Sequence, residues 1–363
     1  MTNIEINELS TDVITKIAED LRVSYYNKVG GTLIIEWGEK QEVNACAISN
    51  SSPDTPPNHK ITINYELFRA LYRDIEDYCN YIEYDADNKL FALLYRKDMQ
   101  PKDLLTSSFS KEAYQNNIFL AAITWVFFHE LGHLKQEHGY IRGKFTESNI
   151  TLINECNIDD KEPLQGKQSA VSHITEIAAD FEAINFCNFE LIKHFKGKDL
   201  LPAIFLFTTG ISLATYRFYD KEISMECDIP VGTHPNPVVR LEIMLPQIWE
   251  FFSISGIEEA LEIKLKREEL VHTCNTAASS VGILWIKRRE LSLNKNSLSN
   301  LVQGMFQRSK LKTYMKILIE TWDEIIPNVK LIRSKREIIT NEFGLLYFTD
   351  ESRSFYGANM NCQ

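Results

Sequence analysis

The stretch His129-Glu130-Leu131-Gly132-His133 constrains this chain more than any other. It reads H-E-x-x-H, a pattern whose chemistry requires a helix. At 3.6 residues per turn, two histidines four apart project from one face, one turn apart. Such a pair presents two imidazole nitrogens to one metal ion. Glu130 follows His129 by one position and is rotated by about 100° around the axis. That sets its carboxylate beside a bound metal, where it can take a proton from a water at the ion. Residues 118–128 (IFLAAITWVFF) are almost wholly apolar, so the motif sits on a helix of the core.

A zinc held by two histidines needs a third protein ligand and keeps a fourth position for water. Glu176-Ile177-Ala178-Ala179-Asp180 supplies the candidate. The window 168–195 carries Ile174, Ile177, Ala178, Phe181 and Ile184 at helical spacing, and Glu176 and Asp180 share a face. Glu176 is read as the ligand. Asp180 is read as the carboxylate that accepts the other N–H of a metal-bound histidine, His129. The three-histidine pattern H-E-x-x-H-x-x-G-x-x-H is excluded, because Gln136 and Gly139 stand where it needs Gly and His. His138 is read as a helix-end residue pointing elsewhere, and His173 as a core or first-turn histidine.

A third block, Thr233-His234-Pro235-Asn236-Pro237-Val238-Val239-Arg240, holds two prolines and reads as an extended lead-in to a helix. A histidine fixed there can reach a tetrahedral intermediate and steady its oxyanion. Arg240 is expected to open the next helix and to clamp a carboxylate, at the site or in the substrate.

The three blocks stand in the order found in the gluzincin peptidases, the group that includes the HtpX-like and CAAX-prenyl peptidases. The chain resembles that group over residues 110–250. It is most similar to the phage-exclusion peptidases of the Lit type, in which an A-I-x-W run leads into the H-E-x-x-H helix, as Ala122-Ile123-Thr124-Trp125 does here. The T-H-P-x-x-x-x-R block, shared by both, is much more specific than H-E-x-x-H alone. The resemblance implies a zincin-like catalytic core. It implies Zn2+ on His129, His133 and Glu176, Glu130 as base, His234 near the oxyanion and Asp180 as a structural partner. It further implies a soluble bacterial protease that cuts translation elongation factor Tu during phage infection. The first hundred and last hundred residues resemble nothing in the group.

The rest of the chain sets bounds. Its 363 residues can bury a full core, and 44% hydrophobic with 25% charged residues is the balance of a soluble globular protein. The expected fold class is α+β and predominantly helical. The expected division is a strand-containing N-terminal region 1–110, a catalytic core 111–255 and a helical C-terminal region 256–363. A helix is expected over 1–22 and another over 66–82. Strand-like stretches fall at 32–49, 60–65 and 89–95, with a Pro-rich loop over 50–58. Residues 139–168 are polar and are read as a loop that forms a lid or rim of the cleft. The uncharged run 200–216 is read as a buried helix, not a membrane span, because it contains Pro202, Gly210 and four Ser/Thr. No basic-then-apolar leader opens the chain, and its seven cysteines form no C-x-x-C pair, so reduced thiols and a cytoplasmic location are expected.

Charge is uneven. Residues 263–338 hold 15 Lys/Arg and 7 Asp/Glu, a net +8, on a chain of net −11. This reads either as a set of solvated helix faces or as a docking face for an acidic protein partner, and the run Lys287-Arg288-Arg289 is too short to decide for the second. Nucleic acid is not expected, since no aromatic residues interleave with the basic ones. The leading expectation is a zinc-dependent endopeptidase acting on a protein substrate. The alternative is a zinc-containing binding or regulatory module that recognises its partner through the basic C-terminal helices. Glu130 separates the two, because a closed structural site needs no base.

Overall fold

The computed structural model of the chain describes residues 1–88, 91, 101–104, 108–146, 152–154, 164–219, 228–261, 263–288, 310–336 and 344–359. Among them the fold is predominantly helical with one four-stranded sheet, an α+β architecture. Helix α1 (Asn3–Leu21) opens on a reciprocal cap. Thr2 accepts from the Glu5 backbone N–H, and the Glu5 side chain accepts from the Thr2 backbone N–H. Strands β1 (Thr32–Gly38), β2 (Ala45–Ser49) and β3 (Asn58–Asn64) follow, then α2 (Tyr65–Asn80). The strand-like stretch 32–49 is therefore two strands, broken where Gly38 and the polar residues 39–44 interrupt the β-branched run.

The fourth strand is a finding that the sequence reading missed. β4 (Leu152–Asn154) lies in the segment taken as a polar loop and pairs antiparallel with β2, Cys46 opposite Asn154. The sheet order is β1-β3-β2-β4, with β1 parallel and β2 antiparallel to β3. The same segment also forms helix α4 (His138–Thr146), whose Ile141 and Arg142 are buried. Its described residues are thus packed structure and not a lid. The strand expected over 89–95 lies outside the described residues except for Phe91, which is helical.

The two motif helices are α3 (Lys111–Lys135) and α5 (Gly166–His194). Ser110 caps α3 by accepting from the Ala113 N–H. Helices α3 and α5 cross closely at Gly132. A Cβ there would lie 3.1 Å from both Cα and O of Ala179, so only glycine and alanine faces allow this approach. Helix α6 (Leu200–Arg217) lies behind α3 with a still tighter contact: a Cβ at Gly210 would lie 2.5 Å from the Ile118 carbonyl oxygen. Its uncharged run is long and apolar enough to cross a membrane, yet 83% of that window is buried inside the fold. Thr209, Ser212 and Thr215 satisfy their hydroxyls by donating to the carbonyls four residues back, which makes the burial tolerable.

Helices α7 (Pro237–Phe252), α8 (Ser255–Leu261), α9 (Arg267–Arg288), α10 (Lys310–Lys335) and α11 (Asp350–Tyr356) complete the described elements. Asn236 caps α7 and Pro237 occupies its first turn, where a missing N–H costs nothing. The buried apolar residues form two clusters that do not follow the three-part division of the sequence. The larger runs from Ile6 through α3 and α6 to Trp285 on α9. The smaller joins Val171, Ile174, Ile177 and Phe181 of α5 to α10 and to Leu345 and Leu346. The N-terminal half of α5 therefore packs on the C-terminal region and its later turns on the main core.

The basic C-terminal region is largely answered within the molecule. Arg288 pairs with Asp74 and Asp77 of α2. Lys287 donates to the Asp85 carbonyl at 3.2 Å and lies over the Tyr81 ring. Arg333 of α10 and Arg336 just beyond its end face the buried carboxylates Glu182 and Glu137. Much of the positive surplus thus faces the acidic remainder of the chain. Arg289 lies outside the described residues. The described cysteines Cys46, Cys79, Cys187 and Cys274 form no disulfide.

Candidate metal centre

His129, His133 and Glu176 converge into one group that could hold a metal ion. The two Nε2 atoms are 3.0 Å apart, and they lie 3.3 and 3.4 Å from the Glu176 oxygens. Three donors bound to zinc at 2.0–2.1 Å in a tetrahedral site stand about 3.4 Å from one another, so the spacing fits such an ion. All three side chains are at most 1% exposed. Gly132 makes this possible: the close crossing it permits brings the helix that carries Glu176 against the face that carries both histidines.

Each ligand is held from behind. His129 presents Nδ1 to Asp180 Oδ1 at 2.8 Å. Asp180 in turn accepts two bonds from Arg240, Nε at 2.8 Å and Nη2 at 2.7 Å, a fork that fixes the carboxylate plane. Burial would raise the Asp180 pKa, but the Arg240 charge and the His129 hydrogen bond hold it below its usual value. His133 presents Nδ1 to His138 Nδ1 at 2.9 Å. Glu176 accepts from Arg142 Nη2 at 2.6 Å through Oε1. Burial opposes its ionisation, yet His234 and His133 keep the Glu176 pKa well below the carboxylate range. Burial lowers the His133 pKa to about 4, which favours the neutral imidazole that metal ligation requires.

Glu130 is fully buried on α3. Burial, and after it the Glu130 charge, raise the Cys46 thiol pKa. His234 Nε2 lies 3.6 Å from Glu176 Oε2. It is beside the ligand group without belonging to it. Its side chain is 10% exposed, against at most 1% for the three ligands. Thr233 Oγ1 stands 2.9 Å from His234 Nδ1. The loop that carries His234 is tied down where Gly232 N–H donates to the Leu164 carbonyl and Ser169 Oγ donates to the Gly232 carbonyl.

Two residues change their reading. His138 does not point elsewhere: α3 ends before it, and the chain turns it back onto His133. The spacing rule assumed a continuous helix, and the break at Glu137 invalidates it. Arg142 was missed altogether, because its approach to Glu176 depends on helix α4 forming within the polar segment. His173 stays out of the ligand group, its Nδ1 2.8 Å from the Tyr314 hydroxyl.

No family model, curated protein or solved structure matches this chain.

Proposed function

We propose that the protein is a soluble, cytoplasmic zinc-dependent endopeptidase with a zincin-like core. The observation that carries this reading is the convergence of His129, His133 and Glu176, with His234 Nε2 3.6 Å from Glu176 Oε2. Among the described residues the group holds three ligands, whereas a purely structural zinc site has four. When bound, zinc supplies a Lewis acid that polarises a carbonyl oxygen and acidifies water. Glu130 accepts the proton of the attacking water and returns it to the leaving amine. Thr233 Oγ1 lies 2.9 Å from His234 Nδ1; in the tautomer in which the hydroxyl donates there, His234 carries its proton on Nε2 and can donate it to the oxyanion that develops on the substrate carbonyl. Asp180 and Arg240 hold His129 in place through the reaction.

The proposed biological role follows the resemblance to Lit-type peptidases: cleavage of a specific host protein in defence against phage, with elongation factor Tu as first candidate. The test compares the N-termini of cellular proteins after expression of the native chain and of Glu130→Gln. New N-termini in one or a few proteins, absent with the variant, are expected. Identical N-terminal sets from both would remove the peptidase reading.

A further inference from the structure

Among the described residues Glu137 is the only non-glycine with positive φ, at 52°. A side chain in this left-handed region is unfavourable, and such residues cluster where a site needs a particular geometry. The turn is held by the Glu137 carboxylate, which is 1% exposed. It is bonded to His59 Nε2 at 3.0 Å, to Ser49 Oγ at 3.0 Å and to Arg336. The consequence of the turn is that α3 stops and α4 begins at His138, whose ring folds back onto His133. The rings are 4.9 Å apart and nearly perpendicular, and their Nδ1 atoms are within hydrogen-bond distance.

Only one proton fits between two such nitrogens. If His133 offers Nε2 to a metal as a neutral imidazole, its proton is on Nδ1 and must be donated. His138 Nδ1, 2.9 Å away, can accept it only if it is bare, with the His138 proton on Nε2. The opposite tautomer pair would put a proton on His133 Nε2 and block the ligand position.

We propose that His138 is a positioning residue: its Nδ1 accepts from His133 Nδ1–H and so selects the His133 tautomer whose Nε2 faces His129 and Glu176. The inference rests on the metal reading of the site. It gives the two histidine ligands different supports, an arginine-held carboxylate for His129 and a neutral imidazole for His133.

The test measures zinc affinity by chelator competition for the native chain, His133→Ala, His138→Leu and His138→Asn, with the metal-free melting temperature of each. His138→Leu is expected to weaken zinc binding by roughly 10–100-fold, the usual cost of losing an outer hydrogen bond to a ligand. His138→Asn, whose Oδ1 occupies the place of Nδ1, is expected to recover most of it. If His133→Ala loses zinc while His138→Leu binds it as the native chain does, the positioning role is overturned and the metal reading stands. If His133→Ala keeps zinc, the metal reading itself falls. Should His138→Leu fail to fold, nitrogen NMR of the zinc-loaded native chain with labelled histidine decides. A His138 proton on Nε2 is expected, and one on Nδ1 overturns the proposal.

Discussion

His129 Nδ1 lies 2.8 Å from Asp180 Oδ1, and the far side of that carboxylate is gripped by Arg240. Asp180→Asn keeps the shape but loses the charge, and it is expected to weaken zinc binding by roughly 10–100-fold. Asp180→Ala is predicted to do more. It leaves the Arg240 guanidinium, 2% exposed, without its carboxylate partner, and breaking a buried pair in this way costs about 3–5 kcal/mol. Chelator competition and thermal denaturation separate the two effects. Equal melting temperatures for the two variants would show that Arg240 finds another partner.

Glu130→Gln is expected to retain fold and metal while cleavage of an identified substrate falls by at least roughly 10²-fold, because an amide cannot accept the proton. His234→Ala is expected to reduce turnover by about 10²–10³-fold with substrate binding little changed, as for loss of one oxyanion donor. Steady-state kinetics on the protein found by N-terminal comparison checks both. A His234→Ala variant that raises KM alone would reassign His234 to substrate binding.

The parts of the site that were legible in the sequence are those set by helical periodicity. His129, His133, Glu176 and Asp180 each need only a continuous helix to share a face, and α3 and α5 are continuous through them. What sequence spacing could not show is where a helix breaks. Glu137 has no Gly or Pro beside it to mark a turn, since its φ is held by contacts with His59 and Arg336, 78 and 199 residues away. His138 and Arg142 both lie beyond that break, and both were misread or missed for that reason. β4 was hidden in the same way: a three-residue strand within a polar segment gains its structure from pairing with β2 and not from its own composition. The charge count of 263–338 carries less, because a sum along the chain does not reveal that Arg288 and Arg336 face carboxylates of α2 and of the α3–α4 turn.

Gly132→Ala probes the crossing that assembles the ligands. The added methyl would meet the Ala179 backbone at 3.1 Å on both Cα and O, and backbone at a helix crossing cannot swing aside as a side chain can. Overpacking of this kind costs about 1–3 kcal/mol. Separation of α3 from α5 would also widen the distance from His133 to Glu176. Lower melting temperature together with weaker zinc binding is the expected result. A native melting temperature with native affinity would mean that the crossing has slack.

Acidification provides a test of the buried imidazole. In the metal-free protein burial pushes the His133 pKa down to about 4, from the ordinary 6.5 that applies to the unfolded chain. Between those values the unfolded state binds a proton that the folded state refuses, so stability rises with pH and falls as pH drops from 6.5 towards 4. His173, lowered to about 3 chiefly by burial, acts in the same direction. Glu176 and Asp180 are depressed carboxylates, and their contribution is lost only at lower pH, below their ordinary values of 4.5 and 3.8. The interval from pH 6.5 to 5 therefore isolates the histidines. Urea midpoints of the metal-free native chain should fall across it, and His133→Asn, which has nothing to titrate there, should show a shallower slope. Zinc should steepen the dependence in the native chain, since acid must then displace the ion as well as protonate the ring. A native midpoint that is flat from pH 6.5 to 5 would mean that these rings are not held neutral by burial.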